Sequence, residues 1–363
     1  MSSQPSRSGR RIWAVVMAGG SGTRFWPAST EGQPKQLTRI VGDTTMLQQT
    51  VARVADVADE VMIITTAALV EQTARQLPEV PAHHIVGEPR GRDTAPCVAL
   101  AAEIVQSADP GALMVLLPAD HVIEPAAVFA SSIRRACEVA EEGHLVTFGV
   151  PPREAATGYG YLHAVEALAG HADARVVEAF VEKPDADTAA RYLADGGYFW
   201  NSGIFCWRAD VVIDELTTHC PDLIDSMAGP GSTWGSDDFD DALGAAYDAV
   251  TPISIDYALM ERADRVAMIV ADWSWDDLGS WDAVSDHHPV DDRGNVRIGD
   301  TRQLDCDGTL LYQLDGPMVV GVGLEDMIVV SAGNAVVVLP KGRGQDIKSI
   351  VEGLRAEGRT DVL

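Results

Sequence analysis

A glycine-rich stretch followed by two cations is the first feature of the sequence that points to chemistry. The segment Gly19-Gly20-Ser21-Gly22-Thr23-Arg24 follows an apolar run, Ile12–Met17, that is typical of a buried strand. Because glycine has no Cβ, its backbone N–H groups can turn outward and approach an anion closely. Arg24 adds a fixed cation and Lys35 a second one. The pattern predicts a loop that holds a polyphosphate, and an ordinary tight turn is the alternative.

The loop does not match either of the common phosphate-binding fingerprints. After Gly20-x-Gly22, Phe25 stands where the dinucleotide motif has Gly or Ala, and no Gly-Lys-Ser/Thr sequence closes a P-loop. We therefore predict a different kind of nucleotide loop. Its predicted nucleotide-binding residues are Ala18, Gly19, Gly20, Ser21, Gly22 and Thr23.

Two carboxylates in separate segments are candidates for a Mg²⁺ site. Asp120 directly follows the apolar run that ends in Leu117-Pro118-Ala119, and Asp277 lies in Trp275-Asp276-Asp277-Leu278-Gly279-Ser280-Trp281. Mg²⁺ prefers one or two carboxylates together with phosphate oxygens and water. The alternatives are that Asp120 caps the helix that follows it and that Asp277 caps a helix before Trp281.

A third group of residues has the side chains that bind sugars. Glu182 and Lys183 end a strand-like segment, and Asn201 stands beside an aromatic residue ahead of another apolar strand. Planar polar groups over an aromatic or glycine floor suit a hydroxyl-rich ligand, and Gly158 fits such a floor. Each of these residues alone is a weak signal, because surface Glu and turn Asn are common.

The elements that must position these residues alternate along the first 150 residues. Strand-like runs at Ile12–Met17, Val61–Thr65, Ala112–Leu117 and Leu145–Val150 alternate with helical patterns at Thr44–Ala55, Ala67–Leu77, Thr94–Gln106 and Pro125–Ala140. Such alternation predicts an α/β fold with a doubly wound, mostly parallel, Rossmann-like sheet. Ligands bind such sheets at the carboxyl ends of the strands, where Gly19 and Asp120 would both lie.

The sequence changes character after about residue 290. Short β runs separated by Gly and Asp predict a small all-β appendage, followed by an amphipathic helix over Gln345–Arg355. We predict a disordered leader over residues 1–10, a main α/β domain over 11–289 and a C-terminal β domain with its closing helix over 290–363. Apolar β surface at a chain end is often used for self-association, so a homodimer is a further hypothesis.

Composition narrows the choice of partners and compartment. The formal net charge of -27 argues against nucleic acid or an anionic membrane as a partner. No apolar stretch approaches the roughly 20 residues that span a bilayer, and the leader lacks the apolar core of a signal peptide. The five cysteines form no C-x-x-C pair, which is typical of a reduced cytoplasmic protein.

These motifs, in this order, resemble the sugar-nucleotide pyrophosphorylases. The glycine loop resembles that family's G-G-x-G-T-R-L-x-P signature. Pro34-Lys35-Gln36-Leu37 and Pro118-Ala119-Asp120-His121 resemble its mannose-1-phosphate guanylyltransferase branch. Thr157-Gly158-Tyr159-Gly160-Tyr161, Val181-Glu182-Lys183-Pro184, Trp200-Asn201-Ser202-Gly203 and the segment around Asp277 are similar to four further family elements. The resemblance runs from Ile12 to Val351. It implies that residues 11–289 form a nucleotidyltransferase domain and that the C-terminal β domain is β-helix-like.

The resemblance implies a reaction in which GTP and mannose 1-phosphate give GDP-mannose and pyrophosphate, with Mg²⁺ as cofactor. It implies Arg24, Lys35, Asp120, Lys183 and Asp277 as catalytic residues, with Asp120 and Asp277 on the metal. Gly158, Tyr159, Glu182, Lys183 and Asn201 are implied to bind the sugar. The segment Gly87-Glu88-Pro89-Arg90-Gly91-Arg92-Asp93-Thr94 resembles an element that borders the nucleotide base, which implies Glu88, Arg92 and Thr94 there; locally, Thr94 also reads as a helix N-cap.

Other functions stay open at this point. A sibling enzyme with another sugar or base would keep the same chemistry, and a catalytically silent regulatory subunit would keep the fold. Loss of Arg24, Lys35 or either aspartate would indicate the silent subunit, and all four residues are present. Because the sequence ends soon after the small β appendage, we do not expect the isomerase domain that some longer relatives carry.

Overall fold

The computed structural model describes residues 9–20 and 22–363. The predicted leader therefore lies almost entirely outside the described residues, as does Ser21. The chain divides into two compact units. The first contains the residues up to Gly19, Val51–Pro118 and Ile123–Trp275; the second contains Gly20–Thr50, Ala119–Val122 and Asp276–Leu363.

The first unit is built on a large mixed sheet. The strands are β1 Ile12–Met17, β2 Glu60–Thr66, β3 Ile85–Glu88, β4 Leu113–Pro118, β5 Val122–Glu124, β6 Leu145–Val150, β7 Tyr161–His163, β8 Ala167–Leu168, β9 His171–Val176, β10 Ala179–Val181, β11 Tyr198–Arg208, β12 Val266–Val270 and β13 Ser274–Asp276. Of these, β5 and β13 pair with each other in a separate two-stranded sheet. The order is β3-β2-β1-β4-β11-β6-β12-β9-β8, and β7 joins β11 to β10. Neighbours from β3 to β4 run parallel, as do β6 and β12, whereas β11 is antiparallel to β4 and β6. The predicted α/β class with a largely parallel sheet is confirmed.

Helices connect these strands along the chain. They are α1 Met46–Val54, α2 Val70–Gln76, α3 Thr94–Ala108, α4 Ala126–Glu141, α5 Ala186–Asp195, α6 Ala209–His219, α7 Pro221–Met227, α8 Pro230–Thr233 and α9 Phe239–Ala249, of which α1 lies mostly in the second unit. A π-helical turn spans Asp256–Met260. Helix α3 is buried along most of its length because it is rich in Ala, Val, Leu and Ile. No helix of the described ranges combines the length and the apolar character needed to cross a membrane.

The second unit carries the C-terminal β structure. After α10 Trp281–Val284 come β14 Val296–Ile298, β15 Thr301–Leu304, β16 Leu310–Gln313, β17 Val319–Val322, β18 Met327–Ala332, β19 Ala335–Pro340 and α11 Ile347–Ala356. Parallel pairing of β14, β16 and β18, and of β15 with β17, gives the predicted β-helix-like rungs. Its core also contains Phe25, Trp26, Ile40 and Met46 from the segment after the glycine loop. The predicted domains follow chain order, whereas this unit joins distant segments of the chain.

Candidate active site

Gly22 shapes the loop that the sequence predicts for phosphate. Its φ of 56° lies in the left-handed region, and a Cβ there would stand 2.4 Å from the Cβ of Lys35. Glycine is therefore required at position 22 for two reasons, the left-handed backbone conformation and the close approach of Lys35. The Gly20 carbonyl accepts a hydrogen bond from Gln36 Nε2 at 2.9 Å, and the Gly22 carbonyl accepts one from Ser29 Oγ at 2.8 Å. The loop is thus held by its own flanking segment.

Lys35 forms the centre of a cluster in the second unit. Its ammonium donates to Asp120 Oδ2 at 2.9 Å and to the backbone oxygen of Asp277 at 2.7 Å. The Lys35 side chain is only 4% exposed, and Nζ lies 5.2 Å from the centre of the Phe25 ring. One buried cation therefore brings together the two aspartates that sequence analysis assigns to the metal.

The Asp120 carboxylate is ionised and faces solvent. Burial opposes ionisation, but the Lys35 ammonium, His121 and hydrogen bonds hold the pKa of Asp120 below its usual range. Its side chain is still 37% exposed. Helix α4 begins only at Ala126, after β5, so Asp120 does not cap it.

Asp277 is likewise not a helix cap. Ser280 takes the N-cap position of α10. The neighbouring Asp276 has a structural role, because its carboxylate accepts hydrogen bonds from the Leu278 N–H at 2.7 Å and from His287 Nε2 at 3.0 Å. A Cβ on Gly279 would stand 3.5 Å from Asp277 Oδ1 and 4.0 Å from Arg24 Nη1. The exposed Arg24 therefore belongs to the same cluster as Lys35, Asp120 and Asp277.

Glu88, in the first unit, is a buried carboxylate beside the start of the glycine loop. Burial raises its pKa to about 6, while a hydrogen bond from Tyr247 Oη to Oε1 at 2.7 Å favours the ionised form. A Cβ on Gly19 would lie 3.1 Å from Glu88 Oε2. One oxygen of Glu88 is thus held by Tyr247, and the other borders Gly19. The Ala18 N–H donates to the Ile64 carbonyl at 2.7 Å, which anchors the loop to β2.

The segment after Glu88 corrects one expectation. Asp93, with φ 67°, is the N-cap of α3 and accepts a hydrogen bond from the Thr94 N–H at 2.8 Å, so the prediction of Thr94 as N-cap was wrong. Thr94 Oγ1 instead accepts from the Ile255 N–H at 2.8 Å. Asp93 can take the cap because its short side chain tolerates a positive φ and bonds locally. Arg92 Nε donates to the Tyr247 carbonyl at 2.9 Å.

Glu182 and Asn201 lie together around Gly160, also in the first unit. A Cβ on Gly160 would come 2.6 Å from Glu182 Oε2 and 3.4 Å from the Cβ of Asn201. The Lys183 ammonium bonds Glu182 Oε1 at 2.6 Å, and this hydrogen bond raises the pKa of Lys183. The Lys183 side chain is 61% exposed, whereas that of Glu182 is 11% exposed. The structure therefore brings three of the predicted sugar-binding residues into one cluster.

The other two predicted sugar-binding residues are placed differently. Tyr159 packs its ring against Trp200 and Trp275, with centroid separations of 5.0 Å and 5.1 Å. Gly158 is exposed, and an added Cβ would meet nothing within 4 Å. It is Gly160 that leaves room for Glu182 and Asn201.

Asp256 belongs to the same cluster, and sequence reasoning missed it. Its Oδ1 accepts a hydrogen bond from Asn201 Nδ2 at 3.2 Å. Burial and the nearby Glu182 carboxylate raise the pKa of Asp256 to about 7. Asn201 Oδ1 also accepts from Thr147 Oγ1 at 3.1 Å, so the amide is fixed from both sides. The signal that could have found it is the acid in the segment Ser254-Ile255-Asp256-Tyr257.

Comparison with known proteins assigns the chain to a family. Residues 13–293 match the nucleotidyl transferase family, and residues 299–354 match the mannose-phosphate isomerase/GMP-like β-helix domain. A Klebsiella pneumoniae mannose-1-phosphate guanylyltransferase is 38% identical over 355 residues, which cover 96% of this chain and 74% of that protein. The alginate biosynthesis protein AlgA of Pseudomonas aeruginosa is 36% identical over 357 residues, with coverages of 96% and 73%.

A solved structure agrees over nearly the whole chain. A Thermus thermophilus protein described as a mannose-1-phosphate geranyltransferase superimposes with a TM-score of 0.84 at 29% identity, covering 95% of this chain and 99% of its own. The motifs, the fold and these similarities lead to one assignment: the chain belongs to the nucleotidyl transferase family, among its mannose-1-phosphate guanylyltransferases.

Proposed function

We propose that this protein transfers the guanylyl group of GTP to mannose 1-phosphate, giving GDP-mannose and pyrophosphate. The observation that carries the proposal is the buried ammonium of Lys35, which donates to the Asp120 carboxylate and to the backbone oxygen of Asp277 beside Arg24. A fixed cation next to two acidic residues suits phosphoryl chemistry, in which positioning and charge neutralisation contribute most of the rate enhancement. The relatives named above support the choice of sugar and base.

The reaction needs no general base. A phosphate oxygen of mannose 1-phosphate attacks the α-phosphorus of GTP, and the bond from that phosphorus to the bridging oxygen breaks. Pyrophosphate leaves with the electron pair. Since the nucleophile is already an anion at neutral pH, the protein must bring two anions together and neutralise the charge that develops.

The triphosphate is assigned to the glycine loop and its cations. Backbone N–H groups of Gly20, Ser21 and Gly22 bind phosphate oxygens, and Arg24 and Lys35 stabilise the leaving pyrophosphate. Arg24 is exposed and suited to a direct fork-like contact. Lys35 is buried and already bonded, so it acts as a fixed charge that also orients the Asp120 carboxylate and holds the backbone at Asp277.

The donor set at Asp120 and Asp277 fits Mg²⁺. Both supply hard carboxylate oxygens, and Asp120 is ionised and partly open to solvent. No group of three or more His, Cys, Asp or Glu side chains in the described part of the chain is arranged to hold a metal. Mg²⁺ suits such a site, because it takes one or two carboxylates and completes its shell with water and phosphate. When bound, it would neutralise phosphate charge.

The base and the sugar are assigned to the two clusters of the first unit. Glu88 faces the base, with Arg92 and Thr94 in the same segment. Glu182 accepts hydrogen bonds from sugar hydroxyls, Asn201 accepts and donates them, and Tyr159 and Gly158 form the floor of the sugar site. The exposed ammonium of Lys183 binds the phosphate of the sugar.

We further propose a homodimer and a cytoplasmic location. On paired strands β15 and β17, Leu304, Val320 and Val322 are 60%, 56% and 60% exposed. An apolar face of this kind favours association with a second copy. Light scattering after size exclusion tests the dimer, and we expect Val320→Asp to be monomeric.

The proposed cytoplasmic location rests on the cysteines. All five are free thiols, as is typical of proteins in reducing compartments.

The test of the reaction is a pyrophosphate-release assay with purified protein and Mg²⁺. It crosses GTP, ATP, UTP and dTTP with mannose 1-phosphate and glucose 1-phosphate. We expect turnover with GTP and mannose 1-phosphate, and its loss on chelation and in Asp277→Ala. Turnover with another pair would make the protein a sibling enzyme; none with any pair, from folded protein that binds nucleotide, would favour a regulatory subunit.

Arg24→Ala tests the cation of the loop. We expect turnover to fall by about two orders of magnitude or more, as when a transition-state donor is removed. Arg191→Ala, which removes an exposed arginine on α5, is the control and should keep the wild-type rate. If Arg24→Ala retained more than about a tenth of the rate, the assignment of Arg24 would be wrong.

A further inference from the structure

Tyr247 is a buried tyrosine that bonds two residues of the predicted base-binding segment. It lies on α9 and is 0% exposed. Its phenol donates to Glu88 Oε1 at 2.7 Å, and its backbone carbonyl accepts from Arg92 Nε at 2.9 Å. Nothing in the local sequence marks this residue, because it sits in an ordinary amphipathic helix pattern.

The bond from Tyr247 leaves the two oxygens of Glu88 in different situations. Oε1 is occupied by the phenol, whereas Oε2 would be 3.1 Å from a Cβ at Gly19. The absence of a side chain at Gly19 therefore keeps space beside Oε2. An ionised carboxylate only accepts hydrogen bonds, so Oε2 suits a ligand that presents N–H donors.

We propose that Tyr247 is a positioning residue for base specificity: by holding Glu88 Oε1 and Arg92, it presents Glu88 Oε2 as an ionised acceptor for the N–H groups of guanine. The inference deepens the proposed function and rests on it. Guanine offers donors at N1 and at its exocyclic amine. Adenine has an unprotonated N1, which an acceptor repels, so an ionised and oriented Glu88 favours GTP over ATP.

Tyr247 is the neighbouring group that favours the ionised form of Glu88. The titratable side chains that interact with Glu88 are Tyr247 on α9, which lowers the pKa of Glu88, and Cys97 on α3, whose own pKa Glu88 raises. Burial raises the pKa of the Cys97 thiol, and burial likewise raises that of the Tyr247 phenol, so both are neutral at pH 7. The hydrogen bond from Tyr247 offsets part of the effect of burial, which raises the pKa of Glu88 to about 6.

The test compares Tyr247→Phe with the wild type by calorimetric titration of GTP and ATP and by steady-state kinetics between pH 5.5 and 8.5. We expect Kd and KM for GTP to rise about tenfold, which is typical for loss of a hydrogen bond to a charged group. We expect kcat at saturating GTP to change less than KM and the preference for GTP over ATP to shrink. The acidic limb of kcat/KM for GTP should move to higher pH, since Glu88 loses the bond that favours its ionised form.

Two further variants separate positioning from a merely structural role. Tyr312→Phe is the matched control, because Tyr312 is also buried and its phenol donates to the Arg39 carbonyl at 2.6 Å; it should leave the GTP pH profile unchanged. In Glu88→Gln the acidic limb should disappear, and adding Tyr247→Phe to it should cost less than in the wild type.

The outcomes distinguish the two proposals. If the wild type binds GTP but Tyr247→Phe keeps its affinity, base preference and pH limb while remaining folded, the role of Tyr247 is overturned. If the wild type itself binds no GTP, the proposed function fails, and the inference fails with it.

Discussion

The two lysine–carboxylate clusters of this protein use the same residue types in opposite ways. Around Lys35 the cation is buried, with 4% of its side chain exposed, and the Asp120 partner is 37% exposed. Around Lys183 the cation is 61% exposed and the Glu182 partner 11% exposed. The first cluster fixes a positive charge and presents a carboxylate; the second fixes a carboxylate and presents a positive charge.

The difference also appears in the protonation of the aspartates. The Lys35 ammonium helps to hold the pKa of Asp120 below its usual range, whereas burial and the Glu182 carboxylate raise that of Asp256 to about 7. A carboxylate beside a cation stays ionised and can therefore bind a metal. A carboxylate beside another carboxylate more readily keeps its proton and can then donate a hydrogen bond. Substitutions should therefore have different consequences in the two clusters.

The largest expected effect is that of removing the buried cation. Lys35→Met should lower kcat about 10³-fold, because Asp120 and Asp277 lose their common partner and the site loses a fixed charge. Lys35→Arg should fail to restore activity, since the larger planar head does not fit a site in which Gly22 lies against the lysine stem. Pyrophosphate release measures the effect, and Lys348→Met on α11 is the control. Restoration by Lys35→Arg would show that charge alone matters there.

The exposed Lys183 should tolerate substitution by arginine, whereas the buried Lys35 should not. Lys183→Ala should raise KM for mannose 1-phosphate about tenfold, by loss of a charge-assisted hydrogen bond. Lys183→Arg should stay within about threefold of wild type, because an exposed side chain can adjust its position. KM and kcat are to be measured with GTP saturating. Equal loss in the alanine and arginine variants would place Lys183 in the same class as Lys35.

The pH dependence of stability should have opposite signs in the two clusters. The pKa of Asp256 is about 7 in the native state, whereas the ordinary pKa of an aspartate is 3.8, so the native state binds more protons than the unfolded state between these values. Its contribution to the free energy of unfolding therefore falls as pH rises from about 4 to 7. Asp120, with its lowered pKa, contributes stability above its ordinary pKa that is lost as pH falls through the folded value.

Asp256→Asn tests this sign. The variant should be more stable than wild type at pH 8 by about 2 kcal/mol, with a smaller difference at pH 5, as followed by urea unfolding. Asp120→Asn is the counterpart and should be destabilised at pH 8. A stabilisation of Asp256→Asn that does not change with pH would contradict the protonation argument.

Sequence reasoning succeeded where the signal is local and failed where the fold brings distant residues together. The predicted strand Ile12–Met17 has the same first and last residues as β1, because a short apolar run preceded by two arginines and followed by glycines is typical of a buried strand. Tyr247 and Asp256 were not found, because their partners Glu88 and Asn201 are 159 and 55 residues away. No periodicity or spacing in a single sequence reports such a pair.

The same limit explains the lysines. Lys35 and Lys183 were both predicted as catalytic residues, and residue type alone cannot distinguish a buried charge from an exposed one. The difference comes from Phe25 and Gly22 packing on Lys35, and from the positive φ of Lys183 at the end of β10. The helix cap at Asp93 was misread for a similar reason, since its left-handed φ is a property of the folded loop.

The smallest expected effect separates two glycines of the sugar cluster. Gly158→Ala should leave the free energy of unfolding within about 0.5 kcal/mol of wild type, as for surface substitutions without strain, because its Cβ would meet nothing within 4 Å. It should raise KM for mannose 1-phosphate about threefold, since a methyl group on the proposed floor displaces the sugar without touching Glu182 or Asn201. Gly353→Ala on α11, which also meets nothing within 4 Å, is the matched control and should leave KM unchanged. An unchanged KM in Gly158→Ala would remove Gly158 from the floor and leave Gly160, which adjoins both Glu182 and Asn201, as the glycine that the sugar cluster requires.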